Sequence, residues 1–83
     1  MKNSLENIYK NTNLLILEFE KNNLFSEKER LEDAMSYACT FGEILSNIGL
    51  ELKDIASNKE KYPKSCIDMV NIILDQINHF EIN

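Results

Sequence analysis

The chain has 83 residues, 43% of them hydrophobic, with two Gly, one Pro and a formal net charge of −5 from 14 acids and 9 bases. That composition excludes a disordered chain, and its acidity repels phosphate, so neither nucleic acid nor an anionic membrane is an expected partner. The length bounds the molecule to one small domain, residues 1–83, whose core is marginal unless it is well packed or shared with another chain.

Met1–Lys2 is followed by Asn3, Ser4 and Glu6 rather than by an apolar signal segment, and no apolar run approaches the ~18 residues of a membrane span. Cys39 and Cys66 stand in no metal or redox spacing. The expectation is a cytoplasmic protein with reduced thiols. Eight of the nine bases are Lys, and Asn and Ile are abundant, which points to an AT-rich gene such as those of many bacteria, plasmids and phages.

A first helix is expected from Leu5 to Asn22. Asn3 or Ser4 can cap it, and Leu5, Ile8, Thr12, Leu15 and Phe19 form its apolar stripe. Asn22–Asn23 ends it, because Asn tolerates the left-handed conformation. The run Leu14-Leu15-Ile16-Leu17 wraps most of the helix circumference at about 100° per residue, so one neighbouring helix cannot cover it.

Ser26-Glu27-Lys28-Glu29 reads as a capping box opening a second helix. From there Leu31, Ala34, Ala38, Phe41, Leu45, Ile48, Leu52 and Ile55 keep an unbroken heptad, the seam of a helix that packs along another. The pattern predicts one long helix to about Asn58, about 47 Å at 1.5 Å per residue. Gly49 is the ambiguous point: Ile48-Gly49-Leu50 could be a helix stop, which would give four short helices instead of three. Along this helix Ala34, Ala38, Gly42 and Gly49 form a small-residue stripe. Each mid-helix Gly costs ~1 kcal/mol relative to Ala, so the stripe is read as a site of close helix packing, and Gly42→Leu is expected to destabilise by overpacking.

A third helix starts near Pro63, which suits a first helical turn. Cys66, Ile67, Val70, Ile73, Leu74, Ile77 and Phe80 form its apolar face, and Met69 and Ile72 are surplus to it. His79 is alone, with Asp75 one turn away. The acids Glu27, Glu29, Glu32 and Asp33 suit a helix N-terminus, and Lys53, Lys59, Lys61 and Lys64 suit a C-terminal end.

The fold is therefore expected to be all-α, a small antiparallel three-helix bundle with a long central helix. No catalytic, cofactor or metal constellation stands out, so the chain is read as a non-enzyme without cofactor or metal. Leu14, Leu17, Met69 and Ile72 are the candidate protein-binding residues, for a partner protein or a second copy in a homodimer. Size, acidity and architecture look like those of small bacterial co-chaperones, antitoxins and toxin-immunity proteins, although no residue motif identifies any of these families. The alternatives are a structural subunit of a larger assembly and, behind it, a helix-turn-helix nucleic-acid binder, for which the last helix lacks the basic residues.

Overall fold

The computed structural model describes residues 5–82, and the side chains of residues 5–80. Over that range the protein is all-α, with four helices: α1 (Leu5–Lys21), α2 (Phe25–Ser36), α3 (Phe41–Ser57) and α4 (Lys64–Ile82), plus one 3-10 turn at Lys59–Lys61. The proposed caps Asn3 and Ser4 lie outside the described residues.

The count is that of the four-helix alternative, but the break falls elsewhere. Gly49 lies inside α3 without a positive φ. The expected long helix is instead divided at Tyr37–Thr40, between α2 and α3. Tyr37, Cys39 and Thr40 in this stretch are all weaker helix formers than Ala. Thr40 is extended, and its hydroxyl accepts the Glu43 N–H at 3.1 Å. The Glu43 carboxylate reaches back to accept the Cys39 N–H at 2.9 Å. This is the reciprocal logic of a capping box, its second bond shifted one residue upstream. Turning here lets the α2 stripe fold onto α3 within one molecule instead of standing along a rod.

The other boundaries follow from local chemistry. α1 ends where Asn23 takes a φ of 61°. Leu24 N–H bonds the Phe19 carbonyl at 2.8 Å and Asn23 N–H bonds that of Glu20 at 3.1 Å. These are the two bonds of a Schellman motif, with Leu24 packed on the core as the apolar clasp. α2 then starts at Phe25, one residue before the expected cap. The Leu24 carbonyl already accepts from Lys28, and no side chain caps this end, so Ser26 is an ordinary first-turn residue. Pro63 precedes α4 and offers its carbonyl to Cys66 and Ile67.

The helices neighbour one another in ring order: α1 packs on α2 and α4, and α3 on α2 and α4. Adjacent helices run in opposite senses. Asn11 bonds Gln76 near one end of the α1–α4 seam, and Ser65 bonds Glu18 near the other. Arg30 pairs with Glu51 at 3.1 Å across α2–α3. The core takes Ile8, Leu15 and Phe19 from α1 and Leu31 from α2. It takes Leu45, Ile48, Leu52 and Ile55 from α3, and Cys66, Val70, Ile73 and Ile77 from α4. The one polar residue among them, Thr12, returns its hydroxyl to the Ile8 carbonyl at 2.7 Å. Six of the eight heptad residues are buried as expected. The exceptions flank the break: Ala38 is half-buried and Phe41 is exposed.

Candidate functional site

The two short turns and the ring order decide which apolar residues have no place inside. On α1, Leu14 follows Asn11 by three positions and precedes Glu18 by four. Both of those reach α4, so Leu14 lies on the same flank. On α4, Ile72 stands between Met69 and Gln76 in the same way. The fold therefore brings Leu14, Met69 and Ile72 to one outer seam, with Leu17 one turn along the outward side of α1. Leu14 is 46% exposed, Leu17 59% and Ile72 55%, while Met69 is half-buried against the core. Asn11, Met69 and Ile72 line a dimple of about 50 Å³ in the seam. The Asn11–Gln76 and Ser65–Glu18 hydrogen bonds (both 2.9 Å) close the patch above and below. An apolar patch rimmed by polar groups is the usual form of a docking surface.

The small-residue stripe does not survive as a unit. Ala34 is buried in α2, and Ala38 falls in the turn. Gly42 is exposed: a Cβ there would meet only the Thr40 hydroxyl, at 3.9 Å. Gly49 is buried, yet a Cβ there would meet nothing within 4 Å. Neither glycine marks a close helix approach, so the overpacking expected of a larger side chain at Gly42 has no basis. The heptad counted them onto one seam only because it ran through the break. Gly49 instead lies in the floor of a groove of about 250 Å³ between α3 and α4, walled by Leu45, Leu50, Lys53, Leu74 and Ile77.

A second apolar edge lies across the ring, on the α2–α3 side. Tyr37 is 81% exposed and Leu50 67%. Both line an open concavity of about 330 Å³ whose wall carries the Arg30–Glu51 pair. The sequence held a signal for them: both fall off the heptad and so point away from the seam. Phe41, 65% exposed, carried no such signal, since it occupies a seam position and is exposed only because α3 begins there.

Among the described residues, no three of His, Cys, Asp and Glu gather to hold a metal ion. Both cysteines are free, Cys39 exposed and Cys66 buried. Burial pushes the Cys66 thiol up from its ordinary value, and the Glu18 carboxylate adds to this against a smaller opposing hydrogen bond from Ser65. That thiol stays protonated and poorly nucleophilic. Burial likewise pushes the Tyr62 hydroxyl up, reinforced by its 3.0 Å hydrogen bond to Glu27. His79 is exposed, its Nδ1 at 2.9 Å from the Asp75 carbonyl and 3.5 Å from its carboxylate.

Among the described residues, no helix is long and apolar enough to cross a membrane. No protein-family model matches this chain, and the comparisons return neither a similar characterised protein nor a similar solved structure.

Proposed function

We propose that this chain is a small, non-enzymatic protein-interaction module of the cytoplasm that binds and controls a partner protein through the α1–α4 face. The observation that carries this reading is the exposure of Leu14, Leu17 and Ile72 on α1 and α4, with Ile72 and Met69 lining a dimple beside Asn11. A fold of this size gains from burying such residues, roughly 25 cal/mol per Å² of apolar area removed from water. The acidic surface favours a protein partner over nucleic acid or an anionic membrane. Control by docking is the mode of co-chaperones, antitoxins and immunity proteins, and needs no chemistry of its own.

A second reading, a structural subunit of a larger assembly, is favoured by the apolar edge at Tyr37 and Leu50. It lies opposite the α1–α4 face and would let one chain bridge two neighbours. Site-specific photo-crosslinking in cells separates the two. A crosslinker at position 17 should give a discrete protein adduct, whereas one at the exposed polar position 54 should not. Adducts at both 17 and 37 favour the subunit reading. Equal labelling at 17 and 54 overturns the α1–α4 face as a binding site.

A further inference from the structure

We propose that this chain exchanges its α1–α2 hairpin with a second copy by winding the α2–α3 turn into one continuous helix, giving a dimer with two α1–α4 faces, each built from both copies. The exchange rests on the fold alone; its consequence for binding rests on the α1–α4 face being a docking surface.

Among the described residues, the connections between helices differ in whether they can be wound. The turn after α1 holds Asn23 at a φ of 61° in its Schellman motif, and the connection before α4 holds Pro63 behind a 3-10 turn. Neither continues a helix. Tyr37–Thr40 holds no Gly, no Pro and no residue with positive φ. Its bend is held by the exposed hydrogen bonds among Cys39, Thr40 and Glu43. Opening here also divides the molecule cleanly. It parts α2 from α3 and α1 from α4, while the α1–α2 and α3–α4 hairpins keep their own packing. A second copy opened in the same way offers both of the lost surfaces.

Register fixes how the two copies meet. Arg30 of α2 lies level with Glu51 of antiparallel α3. When α2 of one copy takes that place beside α3 of the other, the continuous helices run antiparallel along their whole length, about 50 Å at 1.5 Å per residue. Their two-fold axis falls midway between positions 30 and 51, beside Thr40 and Phe41. Away from the axis, the α2–α3 pairing is that of the monomer. At the axis it is new, and the residues there suit it. Phe41 occupies a seam position of the heptad but is 65% exposed in the monomer; at the axis it meets Ala38 and Phe41 of the second copy. These two positions, which flank the break, complete the seam from Leu31 to Ile55. No charged residue occurs from Ala34 to Gly42, so the axis opposes no like charges. In the exchanged dimer Leu14 and Leu17 of one copy lie beside Met69 and Ile72 of the other. The dimer carries two such faces, so a partner with repeated sites gains by avidity.

Refolding the full chain from denaturant, followed by size-exclusion chromatography, tests the exchange. By mass action the wild type should give a dimer after refolding at about 1 mM and none at about 1 μM. T40A should raise the association constant about thirtyfold, because the cap is lost from two monomers per dimer. F41P should stay monomeric with its helical circular dichroism unchanged. Pro suits the first position of α3 and the extended Thr40 before it, but it interrupts a continuous helix. In the exchanged dimer, position 11 of one chain faces position 76 of the other. A chain carrying N11C and a chain carrying Q76C, both also C39S, refolded together at the higher concentration, should therefore be joined by a short bis-maleimide, and F41P in both chains should abolish the product. A wild type that gives no dimer at the higher concentration overturns the exchange, as does a T40A chain that dimerises no better. A dimer that persists in F41P, or that yields no 11-to-76 product between chains, is held by an outer surface and overturns it too. F41P keeps the α1–α4 face whole within one chain, so failure of the exchange leaves the docking reading to its own crosslinking test.

Discussion

α1 and α2 are neighbours in sequence and in space, yet they are held in different ways. α1 buries Ile8, Thr12, Leu15, Ile16 and Phe19 along 17 residues. It ends in a Schellman turn clasped by Leu24. α2 buries only Leu31 and Ala34 along 12 residues. Its start has no side-chain cap, and its outer bonds are an Arg30–Glu51 pair and a Glu27–Tyr62 hydrogen bond. α1 is a wall of the core, whereas α2 lies over the core as a cover. The contrast teaches that elements of similar helical quality need not open together: the element with fewer buried contacts sets the local stability.

The contrast is most severely tested in the core. Phe19→Ala should cost about 3–5 kcal/mol and lower amide protection in all four helices, whereas Leu31→Ala should lower protection mainly in α2. Hydrogen exchange read residue by residue distinguishes them, and a uniform loss from both variants would erase the difference between wall and cover.

Smaller effects sharpen it. Thr40→Ala removes the cap that separates α2 from α3 and should cost about 1 kcal/mol, read as a shift in the denaturant midpoint. Two substitutions should stabilise instead. The Tyr9 hydroxyl is enclosed without a hydrogen-bond partner among the described residues, so Tyr9→Phe should leave stability unchanged or raise it by up to about 1 kcal/mol. Gly49→Ala should add up to ~1 kcal/mol, because the helix gains propensity and a Cβ meets open space. A loss of stability in Gly49→Ala would restore the close-packing role that the geometry denies it.

The smallest effect concerns pH. Folded Tyr62 holds its proton more tightly than the ordinary value of 10.0. The unfolded chain therefore binds fewer protons above that pH, and stability falls with rising pH there while staying insensitive to this group below it. Tyr62→Phe should flatten that alkaline slope in thermal melts. Since Glu27 holds this hydroxyl, the wild-type slope should be steepest for amides of α2.

The sequence made α1 legible because its stripe ends at Asn22–Asn23, where the chemistry of the stop agrees with the pattern. It made α4 legible because Pro63 fixes a start. The break at Tyr37–Thr40 was hidden by phase: Ala34, Ala38, Phe41 and Leu45 keep three- and four-residue steps across it. Yet Thr40-Phe41-Gly42-Glu43 carries the same S/T-x-x-E signature that Ser26–Glu29 displayed. At Ser26 the signature went unused, because the chain entered the helix one residue earlier from the Schellman turn. Only tertiary context ranks two such signals. Leu14 and Leu17 were legible as surface because four consecutive apolar residues exceed one seam, and Ile72 because it is off the α4 stripe.

The four-residue turn between α2 and α3 has a further consequence. Four residues at about 100° each complete little more than one helical revolution, so winding the turn into helix would leave the apolar stripes of α2 and α3 nearly aligned. The hydrophobic code is the same for the bent and the straight chain. In the straight chain α2 can no longer fold back on α3 of its own molecule, and each stripe must find its complement on another, the exchange by which hinge segments create swapped dimers. The apolar pattern thus specifies which surfaces meet, and the Thr40–Glu43 cap specifies that both belong to one molecule.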